Sequence, residues 1–148
     1  MIKNYYKISQ DHQAKAPKLI YSYDMINRNE PKDATQIFIR DDERFDFVDL
    51  LEVPFLMVTD DFKKVVQMYN KNYKYNAVRL TESDGDGMIY WYIDLPMIDV
   101  QKTPMDKWNV SFFKYKNGRA SRAIYYIRLD LLESLLRRGV SIFKLDEI

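Results

Sequence analysis

Asp94, Asp99 and Lys102 stand close together in the chain, just after an apolar run. Two carboxylates at the end of a strand can hold Mg²⁺, and a nearby lysine can steady charge developing on a phosphate, which is the chemistry of a metal-dependent nuclease. Their spacing fits no stringent nuclease signature. The competing expectation is that both aspartates fix their own loop by hydrogen bonds to its backbone. A second acidic group, Ser83-Asp84-Gly85-Asp86-Gly87, has some of the look of a calcium loop. It lacks the later ligands and the closing Glu of that arrangement, so it reads as a hairpin turn. His12 is the single histidine and lies in a polar stretch. A general base needs an orienting partner and a metal needs several ligands, so His12 is expected to be solvated surface.

The other reactive constellations lack their parts. The chain has no Cys, which excludes thiol catalysis, Cys-ligated zinc and redox switching. It has no phosphate loop and no dinucleotide fingerprint, and its four Gly fall at turns and after a helix. The expectation is therefore a protein that is not an enzyme, with no cofactor and no metal.

Lys114, Lys116, Arg119, Arg122 and Arg128 interleave with Phe112, Phe113, Tyr115 and Tyr125, a pattern that permits stacking of single-stranded nucleic acid beside cations. The formal net charge of +1 argues against this nucleic-acid-binding alternative, because nonspecific affinity rests on a domain-wide basic excess. The aromatics are expected in the core on one sheet face and the cations in solvent on the other. The small net charge hides an asymmetry: residues 1–100 carry 13 Lys and Arg against 17 Asp and Glu, and residues 101–148 carry 10 against 5. The densest acidic segment runs from Asp41 to Glu52 and attracts a basic partner. Phe45, Phe47, Val48, Leu50 and Leu51 within it must partly pack while its carboxylates stay wet.

These residues need a scaffold, and its centre is Val53 to Glu82. An apolar run from Val53 to Val58 predicts a buried strand with Pro54 near its start. Phe62, Val65, Val66 and Tyr69 recur at helical spacing, with Thr59 or Asp60 as N-cap, and Ala77 to Leu80 follows as a strand beyond a polar loop. A similar unit closes the chain: strand Ile124–Ile127, Asp130 as N-cap in a capping box with Glu133, a stripe of Leu131, Leu132, Leu135 and Leu136, a stop at Gly139, and a strand over Val140–Leu145. Between the two, Arg79–Thr81 and Met88–Ile93 should form a hairpin. Val110–Tyr115 and Ala123–Ile127 should form another through Asn117-Gly118. Met1–Ile8 reads as an opening strand, Lys18–Tyr23 as a short strand, Asp24–Thr35 as loop and Gln36–Arg40 as a strand. The expected fold is α+β: a mixed, largely antiparallel sheet with two main helices in two similar strand-helix-strand units.

One domain over residues 1–148 is the default at this length, which can bury roughly 68–70% of its unfolded surface. Within it, residues 1–52 hold the N-terminal strands and acidic segment, 53–82 the first unit, 88–127 the hairpins and 124–148 the second unit. No run of about 18 apolar residues occurs and the N-terminus lacks a signal-peptide core, so a soluble cytoplasmic protein is expected, with no membrane contact. Twelve Tyr, eight Phe and two Trp favour both a β-rich fold and a protein partner.

Three segments, Phe55–Val66, Ile89–Asp99 and Ile124–Leu145, together resemble the immunity-protein-eleven-like family of bacterial polymorphic-toxin systems. Its members begin with a tyrosine-rich strand, carry a strand, Ser/Thr, helix block twice, and place a Tyr-rich strand ending in Ile-Asp between them. The likeness covers residues 37–148. The resemblance implies a small antidote that binds and neutralises one cognate toxin domain, encoded beside it, and supplies no catalytic residues. A basic toxin would suit the acidic segment. The partner face is then expected around Asp41, Asp42, Glu43, Asp46 and Asp49, with Tyr69, Tyr73 and Tyr75 in the adjacent helix-to-strand loop.

Overall fold

A computed structural model describes residues 4–31, 35–40, 44–118 and 122–148. In chain order the elements are β1 (Tyr5–Ser9), β2 (Leu19–Ile20), α1 (Tyr23–Arg28), β3 (Thr35–Ile39), β4 (Leu50–Leu51), β5 (Met57–Val58) and α2 (Asp60–Tyr69). Then come β6 (Lys74–Thr81), β7 (Gly87–Asp94), β8 (Phe112–Tyr115), β9 (Ile124–Arg128), α3 (Leu129–Arg137) and β10 (Lys144–Asp146). The α+β class and the two main helices are as predicted, but the strands form two sheets. One has the order β10-β1-β9-β8 and the other β2-β3-β6-β7-β5-β4. Among the described strands β3 and β6 pair in parallel, and the remaining strand pairs are antiparallel.

The two strand-helix-strand units share one topology. β5 and β6 both pair antiparallel with β7, so they run parallel to each other with β7 between them and α2 as the crossover. β9 and β10 stand in the same relation to β1, with α3 as their crossover. A crossover helix can span one intervening strand, and in each unit a strand from elsewhere in the chain fills that gap. For the first unit the filler is the next strand. For the second it is the N-terminal strand, so that unit cannot assemble without the start of the chain.

Alternation along the strands sends successive side chains to opposite faces, and each sheet packs a hydrophobic cluster on either face. Phe112, Tyr125 and Ile127 enter a central core with Val58, Phe62, Val65, Val66, Ile93 and the α3 leucines. Their neighbours Phe113 and Tyr126 point the other way, into a cluster with Tyr5, Trp108 and Tyr115, where the Phe113 and Tyr126 rings stack 5.1 Å apart. This corrects the expectation of aromatics on one face only: Val100, Met105 and Val110 pack over the aromatic cluster on the outer face. The six-stranded sheet likewise has an outer cluster, built from Ile37, Ile39, Met57, Val78, Leu80, Tyr90 and Tyr92.

Several local expectations change. Of the apolar run from Val53 to Val58 only Met57–Val58 is strand, β5; it follows a bend at the cis Val53–Pro54 peptide, and the strand before that bend is β4. Part of the stretch expected as loop is α1, whose ends are closed by the Ser22 hydroxyl accepting from Met25 N at 3.2 Å and by Asn29 in the left-handed region (φ 54°). It has no buried residue, so no apolar stripe announces it. Of the opening strand, Met1–Lys3 lie outside the described residues, as do Lys32–Ala34 of the expected loop. β10 starts later than expected, at Lys144.

Thr59 caps α2 as predicted, its hydroxyl accepting from Phe62 N at 3.4 Å. Asp130 does not cap α3. β9 pairs as far as Arg128 and the helix begins at Leu129, which makes Arg128 the N-cap residue, without a side-chain bond, and leaves Asp130 in the first turn. There its carboxylate accepts from Leu131 N at 2.9 Å and from Arg128 at 2.7 and 3.1 Å. Burial opposes the charge of Asp130, but the Arg128 guanidinium and the backbone N–H outweigh it and hold the carboxyl below its ordinary 3.8. A depressed folded-state value means that this stabilisation is complete above 3.8 and is lost as pH falls through the folded value. Because the Asp130 side chain is 51% exposed, Asp130→Asn is expected to cost only about 0.5 kcal/mol near neutral pH. Urea denaturation of both forms should show that difference disappear in strong acid.

Candidate functional site

The acidic segment divides where its apolar residues pack. Val48, Leu50 and Leu51 are buried, Phe45 is half-buried against the outer cluster of the six-stranded sheet, and Phe47 is 62% exposed. Asp46 is exposed and tied to the N-terminal segment: its backbone N donates to Lys15 O at 2.6 Å and its carboxylate accepts from Lys15 N at 3.0 Å. Asp46 and Phe47 therefore stand side by side on a held backbone, a charge beside an unburied aromatic ring. Asp41, Asp42 and Glu43 lie outside the described residues.

Asp49 is a correction, because its carboxylate does not stay wet. It is 3% exposed, and its oxygens accept from Thr59 Oγ1 at 3.0 Å, Ser141 N at 3.2 Å and Ile142 N at 2.8 Å. The carboxylate satisfies orphan donors at a helix start and in a remote loop, and that work takes it out of reach of a partner.

The three tyrosines are also built into the frame. Tyr69 hydroxyl donates to Asp130 O at 3.0 Å and bonds Ser134 Oγ, joining α2 to α3. Tyr73 hydroxyl donates to Phe112 O, joining the loop between α2 and β6 to the four-stranded sheet. Tyr75 lies in β6 rather than in the loop, with its hydroxyl buried and unpartnered among the described residues. Burial pushes the Tyr73 phenol up, and burial followed by the neighbouring Tyr73 pushes Tyr75 up to about 12. All three pack on the central core, whereas Phe45 and Val48 belong to the cluster on the other face of the six-stranded sheet. The structure thus separates the tyrosines from the acidic segment, which sequence order had placed together. Phe47, assigned to packing by its apolar character alone, is the exposed aromatic instead.

Of the residues considered for metal chemistry, Asp99 is engaged with its own loop. Asp99 Oδ1 accepts from Gln101 N at 3.0 Å and Lys102 N at 3.3 Å, the loop-fixing role expected of it. Asp94 is exposed at the end of β7, opposite Lys74. Glu82, Asp84 and Asp86 bring carboxylate oxygens within 4.8 Å of one another at the β6–β7 turn, where Asp84 accepts from Asp86 N at 2.9 Å. His12 is exposed. Phe112, Phe113, Tyr115 and Tyr125 are all buried, so none offers a ring for a base to stack on, and Arg119 lies outside the described residues.

The site is thus a surface, an exposed aromatic and carboxylate pair on an α+β scaffold. No family model matches the chain, and no curated protein matches it significantly. Among the described residues, no helix is long and apolar enough to cross a membrane.

Proposed function

We propose that this protein is a noncatalytic antidote of the immunity-protein-eleven-like kind, acting in the cytoplasm by binding a basic toxin domain. The observation that carries this reading is the pairing of Asp46 with Phe47, exposed together on backbone fastened to Lys15. A protein inhibitor gains association rate and selectivity from charge complementarity, and affinity from a few aromatic anchors that become buried. The acidic run Asp41, Asp42, Glu43 and Asp46 supplies the first and Phe47 the second.

The test is binding kinetics against a basic toxin domain encoded beside this gene. Reversing charge with Asp42→Lys, Glu43→Lys and Asp46→Lys together should slow association by about tenfold at low ionic strength. The difference should shrink at about 1 M salt, where the screening length falls to ~3 Å. Phe47→Ala should instead speed dissociation, by about tenfold or more if the ring is an anchor. Unchanged association in the charge-reversed protein would remove this surface from the reading.

A further inference from the structure

A cleft of about 530 Å³ opens between the two sheets, in the size range of small-molecule sites. One wall is α1 with the β4–β5 connection, contributing Tyr21, Tyr23, Ile26 and Pro54; the other is the β8–β9 side, contributing Lys116, Arg122 and Tyr125. Behind it a void of about 10 Å³, space for about one water, shares Asn29 and Tyr125 with the cleft and adds Lys114.

The polar groups here are unevenly matched. Lys114, Lys116 and Arg122 form no ion pair with any described residue. Glu52 is the single carboxylate among the described lining residues, and it is already held, accepting from Gln10 N at 2.9 Å while Glu52 N donates to the Gln10 side chain at 3.1 Å. Tyr125 is 4% exposed and lines both the cleft and the void. Lining the cleft, the phenol can donate to a bound acceptor. Burial, then the Glu52 carboxylate and Tyr92, raise the Tyr125 phenol well above its ordinary value, so it stays a neutral donor. On the lip, Tyr23 is 79% exposed with no packing partner in the clusters of the core.

We infer that this cleft binds a small organic anion, a carboxylate or phosphate carried on a planar apolar body. Lys116 and Arg122 face the anionic head, Tyr125 donates a hydrogen bond from the floor, and Tyr21, Tyr23 and Pro54 cover the body. Charge-assisted donors reward the head, and aromatic walls reward the planar part. This site stands apart from the antidote surface, so either reading can fail without the other.

The experiment titrates the full chain with phenyl phosphate and with benzoate by calorimetry, with backbone amide shifts locating the site. Benzyl alcohol and inorganic phosphate serve as the headless and bodiless controls. The expected result is saturable one-to-one binding of at least one anionic aromatic, amide shifts around Tyr23, Glu52 and Tyr125, and weaker binding of both controls. Lys116→Gln with Arg122→Gln should weaken it by about tenfold or more, the loss expected for charged hydrogen bonds. Tyr125→Phe, whose folding is checked by its melting temperature, should weaken it severalfold. Benzyl alcohol binding as tightly as phenyl phosphate, unchanged affinity in the double variant, or no saturable binding of either anion would overturn the proposal.

Discussion

Asp49→Ala is expected to lower the unfolding free energy by about 3–5 kcal/mol, the range found when one member of a buried charged network is removed. The carboxylate accepts three hydrogen bonds in an environment where it is 3% exposed. Two of the orphaned donors, Ser141 N and Ile142 N, belong to the loop after α3; the third is the Thr59 hydroxyl. Donation to Asp49 turns that hydroxyl so that its lone pairs face Phe62 N, so the same substitution loosens the N-cap of α2. Asp49→Asn should cost less, because its oxygen can still face the Ser141 and Ile142 amides while its NH₂ donates to the Thr59 hydroxyl, whose second lone pair remains for Phe62 N. Asp46→Asn is the control, exposed and expected within about 0.5 kcal/mol of the parent. Urea denaturation followed by circular dichroism measures all three, and a loss of under about 1 kcal/mol for Asp49→Ala would show that the network contributes little.

What the sequence revealed follows the range of the interactions involved. α2 was legible because Phe62, Val65, Val66 and Tyr69 form a stripe within ten residues and Thr59 caps it from one step away. The β6–β7 hairpin was legible for the same reason, since Asp84 and Gly85 make the turn that pairs Thr81 with Gly87. The repeated unit could be seen, but not the strand that fills each gap. Pairing β1 between β9 and β10 depends on contacts more than a hundred residues apart, and local periodicity carries nothing about them. Asp49 misled for that reason: its type predicts solvent, while its partners lie in a loop that sequence order places far away. Tyr69 and Tyr73 misled similarly, because a tyrosine with a remote carbonyl to bond is indistinguishable, residue by residue, from one awaiting a partner. Asp46 and Phe47 stay exposed, as an acidic segment at the surface leads one to expect of the first and not of the second.

Phe62→Ala is expected to cost about 3–5 kcal/mol, as large aromatic truncations in a packed core do. Phe62 is fully buried, and its ring lies 5.9 Å from Phe112 of β8 and 6.0 Å from Phe143 of the loop beyond α3. The first unit's helix thus meets the four-stranded sheet and the second unit's return loop at this one side chain. A cavity here cannot readily collapse, since β8 is held by its ladder to β9, and the loop by the Asp49 carboxylate. Phe62→Leu keeps most of the volume and should cost markedly less; because Ala is a better helix former than Phe, the loss in Phe62→Ala is one of packing. Phe47→Ala, at 62% exposure, should be within about 0.5 kcal/mol of the parent. The variant also asks whether the two units unfold together. With the central core shared between them, near-UV and far-UV signals should lose structure at one lowered urea midpoint. Two separated transitions, only one of them shifted, would mean that the contact between Phe62 and the second unit contributes little to holding the units as one.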